Sequence, residues 1–240
     1  MDYEQKARQE CIDWQHEMMK NRSSWFGRAG KSIQNKINEK IPQKVHDAIT
    51  TAIKSMVHSV LQGSDFITRR EPVADMPLKE REALVRKKIR NYKRTAAAEG
   101  AGTGAGGLWW GLADFPLLLS IKMKFLYDVA GIYGFDIKDY RERLYVLTIF
   151  QTAFSSDAKR MDAFLKLRNW PESISTYASL KDMDWQQFQQ EYRDYIDLAK
   201  LFQLIPGLGA VVGAYANYRF LDRLGETAMN AYRMRLLDTE

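Results

Sequence analysis

The 240-residue chain has one cysteine, three histidines and six prolines. The single Cys11 excludes an internal disulfide and a cysteine-based zinc site, and it suits a reducing cytosol. His46 and His58 fall on one expected helix, about 18 Å apart at 1.5 Å per residue, too far to share a metal. Neither has the i, i+4 partner that a helical zinc pair needs, so no metal or cofactor is expected. Few prolines and few alternating β-branched runs argue against strands and for helices. Long hydrophobic runs are also scarce, and a mean hydropathy of −0.43 excludes a multi-span membrane protein. The most apolar run, Ala105–Ile121, is 17 residues long with one charge, Asp114, against the roughly 20 residues a spanning helix needs. The start, MDYEQKARQE, is charged throughout and does not read as a signal peptide.

What the chain has instead is a block of small and apolar residues, Thr95 to Asp136, with Gly100, Gly102, Gly104, Gly106, Gly107 and Gly111 close together. A phosphate-binding loop would end in Lys-Ser/Thr after a strand; here Gly106-Gly107 leads into Leu108-Trp109-Trp110 and follows three alanines. A solvated linker would not run directly into two tryptophans. Close helix packing remains, because small residues four apart let backbones approach. Gly100, Gly104, Gly107 and Gly111 share a helical face. Each interior glycine costs about 0.5–1 kcal/mol in a helix, so contact must return the loss. Asp114 reads as the N-cap of a new helix with Pro116 in its first turn. That helix runs from Leu117 to Tyr133, with Gly134 as its stop. The block is therefore expected to form an antiparallel helical hairpin.

The rest of the chain also reads as helices. Ala7, Cys11, Trp14 and Met18 recur on one face of Asp2–Asn21. Trp25–Ile41 interleaves basic and apolar residues, as an interfacial helix does. Pro42 opens a helix over Gln43–Gln62. A charged helix follows over Pro77–Glu99, another over Asp136–Ser155 and an amphipathic one over Met183–Leu204. A second small-residue turn, Ile205-Pro206-Gly207-Leu208-Gly209 and on to Gly213, leads into a long helix ending near Leu237. The expected fold is an all-α bundle with two packed Gly/Ala-rich hairpins. An amphipathic N-terminal region over 1–75 precedes a helical core over 76–240.

The net charge is +6. Arg86, Lys87, Lys88, Arg90, Lys93 and Arg94 precede the glycine block, and a polybasic segment beside an apolar element binds anionic lipid at about 1 kcal/mol per residue. Trp109 and Trp110 would suit the membrane interface. Nucleic acid is the weaker reading, because Tyr92 is the one aromatic in that stretch. Candidate catalytic carboxylates are Glu99, which burial would raise towards general acid–base work, Asp114 and Asp136. The last two are read more simply as helix caps.

The stretch GAGTGAGGLWWGLADFPLLLSIKMKFLYDVAGIYGFD resembles the signature of the EcsC protein family. The likeness lies in the Gly/Ala-rich helix Gly100–Gly107, the Leu112-Ala113-Asp114-Phe115-Pro116 turn and the Tyr133-Gly134-Phe135-Asp136 ending, with the Ile205 to Arg219 stretch fitting the family's C-terminal part. It spans about residues 75–235. The family is bacterial and takes its name from a locus that also encodes an ABC transporter. The resemblance implies no established activity. A peptidase label carried by some members finds no His-x-x-x-Asp or His-x-His pattern here.

The expectation is a non-enzymatic cytoplasmic protein, peripheral at the inner face of the membrane. It would dock on anionic lipid or bind a membrane protein such as an ABC transporter. The alternative is a soluble helical enzyme, or a hydrophobic-ligand carrier, that uses the Glu99, Asp114 and Asp136 region.

Overall fold

The computed structural model describes residues 2–20, 43–63, 75–103, 107–155, 159–175 and 210–237, with backbone alone at 46, 96–103, 107–114 and 210–217. All regular structure among these residues is α-helix. The elements are α1 (Tyr3–Met19), α2 (Gln43–Gln62), α3 (Leu78–Thr103), α4 (Gly107–Tyr133), α5 (Tyr140–Phe154), α6 (Arg160–Arg168), α7 (Trp170–Ser175) and α8 (Ala210–Leu236). The expected helices at 25–41 and 183–204 lie outside the described residues, as do Gly104, Gly207 and Gly209.

Local chemistry sets the helix ends. Asp2 and Gln5 form a capping box at the start of α1, satisfying two orphan N–H groups. The α1 residues Ala7, Cys11 and Trp14 are buried, as their spacing predicts. The α2 bounds match Gln43–Gln62, and its Val45, Ile49, Ile53, Met56, Val57 and Val60 are buried. At the end of α4, Gly134 adopts φ +94°. The Phe135 N–H bonds to the Ala130 carbonyl at 2.9 Å, and the Gly134 N–H to the Gly131 carbonyl at 3.0 Å. This is the two-bond glycine stop that closes many helices.

Two expected boundaries move. No helix begins at Asp114: α4 runs unbroken from Gly107 through Pro116 to Tyr133. Asp114 therefore lies inside a helix and is not a cap. A proline there costs about 3 kcal/mol. Burial of Phe115, Leu118 and Leu119 beside it, at about 1.5–3 kcal/mol each, outweighs that loss. Likewise α3 continues past Glu99 to Thr103. The next helix starts at Tyr140, not at Asp136. Asp139 caps it, accepting from the Arg141 N–H at 2.9 Å. Asp136 instead accepts from the Lys138 N–H at 2.9 Å, closing a local side-chain turn.

The helices α3 and α4 pack antiparallel. Arg81 donates to the Tyr133 carbonyl at 2.9 Å near one end, and Tyr92 donates to Asp128 at 3.0 Å further along. Helix α8 is antiparallel to α3, meeting it at Arg233–Glu82, Gly225–Ile89 and Asp222–Lys93. The end of α3 and the starts of α4 and α8 therefore share one end of the bundle. Helix α2 covers α4 and α5, where Tyr127 donates to the Val60 carbonyl and Arg143 to the Leu61 carbonyl. Helix α5 backs onto α8 through Tyr145, which donates to the Ala231 carbonyl at 2.7 Å. A two-pronged Arg235–Glu142 pair at 2.7 and 2.8 Å joins the same two helices. Helix α1 lies on α8 and α6, with Trp14 edge-on to Phe164 at 5.5 Å. Residues of α1 and α2 (Ala7, Val45, Ile49) join the same buried cluster as those of α3 to α6 and α8, with Trp170 and Ile174 of α7 packed against it.

Candidate functional site

Leu78, Glu82, Val85 and Ile89 recur at i, i+4, i+7 and i+11 on α3, so a carboxylate interrupts an apolar stripe. Glu82 is fully buried there and Arg233 of α8 is 3% exposed. Arg233 grips it with both prongs, Nε to Oε1 at 2.7 Å and Nη2 to Oε2 at 2.6 Å. The Tyr3 hydroxyl of α1 donates to Oε2 at 2.7 Å, Arg86 to the same oxygen at 3.3 Å, and the Tyr133 hydroxyl to Oε1 at 3.4 Å. Arg233 Nη1 reaches Glu10 Oε2 at 3.0 Å and Asn230 Oδ1 at 3.2 Å. One ion pair thus ties α1, α3, α4 and α8 together.

The electrostatics follow from this geometry. Burial alone would raise the Glu82 carboxyl. The hydrogen bonds from Arg233 and Tyr3, with the charges of Arg233 and Arg86, outweigh burial and hold it below the usual carboxylate range. Burial alone would lower Arg233, and Glu82 reverses that too. A general base needs an open lone pair and a pKa near the working pH. Glu82 accepts hydrogen bonds at both oxygens, and its carboxyl is held below its ordinary value. Its bonds join α3 to α1, α4 and α8.

Above this pair a groove of about 800 Å³ opens between α1, α3 and α8. Glu10, Asp13 and Glu17 of α1 form one wall, and Arg86, Arg90 and Lys93 of α3 form the other. Trp14, Met18, Ile89 and Met229 supply apolar surface between them. Past Met18 the groove runs on into a second cavity of about 520 Å³, bordered by Arg160, Arg219 and Arg223.

The sequence pattern of the EcsC protein family matches residues 5–237. This chain belongs to the EcsC protein family. It is 48% identical over 229 residues to Protein EcsC of Bacillus subtilis (strain 168), covering 95% of this chain and 94% of that protein. It is 30% identical over 167 residues to Uncharacterized protein YdbA of the same organism, covering 69% of this chain and 61% of that protein. No solved structure shows significant similarity to it. The EcsC match is wider than the 75–235 stretch that carries the signature, and it takes in nearly all of α1.

The structure divides the basic cluster of this EcsC chain. Arg86 pairs with Glu82, Lys88 with Asp128 at 2.9 Å, and Lys93 with Asp222, while Lys93 also lies 3.7 Å over the Tyr218 ring. Lys87, Arg90 and Arg94 are exposed. Asp136 is exposed in its turn, apart from the Glu82 cluster. Glu99, Asp114, Trp109, Trp110, Gly100, Gly107, Gly111 and Gly213 lie on helical backbone, and their surroundings fall outside the described residues. A close helix contact through glycine occurs at Gly225, where an added Cβ would stand 2.6 Å from Ile89 Cδ1. Among the described residues no helix is long and apolar enough to cross a membrane.

Sequence reading missed Glu82, Arg233, Glu142 and Arg235. The signal available was a charge on an apolar stripe, as at Glu82 between Leu78 and Val85. Nothing local pairs Glu82 with Arg233, which lies 151 positions away.

Proposed function

We propose that this EcsC protein is a non-enzymatic, membrane-associated helical protein. It docks on the anionic inner face of the cell membrane and binds a membrane protein there, an ABC transporter being the candidate partner. The observation that carries this reading is the exposed basic stripe Lys87, Arg90 and Arg94, at i, i+3 and i+7 on α3. These three lie on one side of the helix, and the stripe leads towards the end of the bundle where α3 stops and α4 and α8 start. Three cations near an anionic bilayer supply about 3 kcal/mol, roughly a hundredfold in binding. Leu117, 55% exposed about three turns into α4, adds an apolar contact.

Flotation with anionic and neutral vesicles at low and high salt tests this. Binding to anionic vesicles that fades in salt is expected, because about 1 M salt screens charge within about 3 Å. The double variant Lys87→Glu/Arg94→Glu should weaken it at least thirtyfold, from about 2 kcal/mol of lost attraction plus new repulsion. Arg86 and Lys88 are unsuitable for this test, since reversing them breaks pairs inside the fold. No binding to either vesicle sinks the membrane reading.

A further inference from the structure

Helix α1 is joined to the bundle differently from α2. Among its described residues, Ala7 enters the continuous buried cluster and Tyr3 packs at its edge, whereas Cys11 and Trp14 are buried outside that cluster, Trp14 edge-on to Phe164 of α6. Helix α2 puts Val45, Ile49, Ile53, Val57, Val60 and Leu61 into it. The Trp14 indole N–H is buried with no hydrogen-bond partner among the described residues, so the docked position leaves unsatisfied a donor that water would satisfy. Several of the other contacts of α1 are polar. The Tyr3 hydroxyl donates to Glu82 at 2.7 Å and accepts from Arg86 at 2.8 Å. Glu10, its side chain 44% exposed, meets Arg233 at 3.0 Å, and a pair that open to water contributes little. At the far end Arg160 donates to the Lys20 carbonyl at 3.3 Å and Arg168 to the Met19 sulfur at 3.4 Å, a thioether being a weak acceptor. Within α1, the capping box and the Gln9–Asp13 bond support the helix without help from the bundle.

We propose that α1 is a detachable strap, which leaves the bundle as one unit while α2 to α8 stay folded. The buried ion pair permits this. Glu82 and Arg233 keep their two-pronged bond without α1, and Arg86 and Tyr133 remain on the carboxylate. No charge is left buried and alone, the condition that makes breaking such pairs costly. The packing of α3 against α4 and α8, and of α2 against α4 and α5, does not pass through α1. Opening uncovers Phe164, Asn230 and Arg233, which α1 now touches. It also exposes the Cys11 sulfur, which in the closed state is fully buried and donates to the Asn230 carbonyl at 3.5 Å. Units held in this way open at free energies below that of global unfolding. The protein thus has two states, which differ in whether the α6 and α8 surface beneath α1 is accessible. This device is independent of vesicle binding.

Cys11 is the one cysteine of the chain, so thiol labelling of the full-length protein reads the opening directly. The labelling rate with a small aromatic disulfide at low concentration, divided by the rate for the unfolded chain in denaturant, gives an opening constant. That constant should exceed the global unfolding constant from urea melts at least a hundredfold. It should also rise less steeply with urea, because opening exposes less surface. Two variants separate the alternatives. Ile53→Val lies in α2, which packs on α4 and α5. It should raise the global unfolding constant about fivefold and leave Cys11 labelling unchanged. An equal rise in both would show that Cys11 reacts through global unfolding and would overturn the proposal. Tyr3→Phe removes the bonds to Glu82 and Arg86, about two turns from Cys11, and should speed labelling about tenfold. Unchanged labelling in this variant would show that the thiol is reached with α1 still docked, which also overturns it. Circular dichroism checks that both variants remain folded.

Discussion

Arg233 and Glu82 meet in a two-pronged ion pair at 2.6 and 2.7 Å, with Glu82 fully buried and Arg233 nearly so. Such a pair is weak evidence for net stability, because desolvating two charges offsets much of their attraction. Breaking it on one side is different, since an uncompensated charge stays buried. Arg233→Met should cost about 3–5 kcal/mol in urea unfolding, and the double variant Glu82→Met/Arg233→Met should recover part of that loss. A single variant as stable as the parent would show that water reaches Glu82.

The same pair sets an acid limb. A glutamate in the unfolded chain titrates near about 4.3. Glu82 titrates lower in the fold, because the bonds from Arg233 and Tyr3 overcome the opposing effect of burial. Its stabilisation is therefore fully present above about pH 4.3 and is lost as pH falls through the lower folded value. Glu82→Gln should be markedly less stable than the parent at pH 7, and the gap should narrow by pH 3. A gap that is constant with pH would contradict the assignment.

At the other end of the pH scale, Tyr232 is fully buried, and burial pushes its hydroxyl well above the ordinary tyrosine value. A raised pKa means stability that is present below about pH 10 and lost as pH rises beyond it. The Tyr232 hydroxyl also has no hydrogen-bond partner among the described residues. A buried unpaired hydroxyl costs about 1–3 kcal/mol. Tyr232→Phe keeps the ring against Tyr133 and Phe135. It should stabilise the protein by about 1 kcal/mol at pH 7 and flatten the alkaline limb of a thermal melting series.

Gly225 and Gly131 should respond oppositely to alanine. A Cβ at Gly225 would stand 2.6 Å from Ile89 Cδ1 and 2.9 Å from Cγ1, whereas one at Gly131 meets nothing within 4 Å. Overpacking costs about 1–3 kcal/mol and helix propensity returns about 0.5–1 kcal/mol. Gly225→Ala should therefore destabilise by about 1 kcal/mol, and Gly131→Ala should stabilise by about 0.5–1 kcal/mol. In an Ile89→Ala background, Gly225→Ala should become stabilising. The same sign in both backgrounds would remove the close contact between α3 and α8 from the account.

The readings that held depended on neighbouring residues. Gln43–Gln62 emerged from Pro42 and an apolar repeat, and the stop at Gly134 from a glycine that adopts positive φ at little steric cost. The readings that moved were local rules overruled by packing. Asp114 and Pro116 form a credible helix start by themselves, yet Phe115, Leu118 and Leu119 bury more by continuing the helix. Asp136 lost the cap to Asp139, three residues on, and nothing in the spacing distinguished the two carboxylates.

The sequence by itself determined the helical class, the apolar face of α1 and the bounds of α2, and membership of the EcsC family, because periodicity and motif are properties of contiguous residues. Only the tertiary structure decided which basic residues face outward. Arg86, Lys88 and Lys93 look equivalent to Lys87, Arg90 and Arg94 along the chain, but Glu82, Asp128 and Asp222 claim the first three. Two of those three partners sit on other helices, at positions that only the antiparallel packing of α3 against α4 and α8 brings within reach of a cation. The two-signed groove has the same origin: its walls lie about 76 residues apart in the chain, and only the folded bundle sets one against the other.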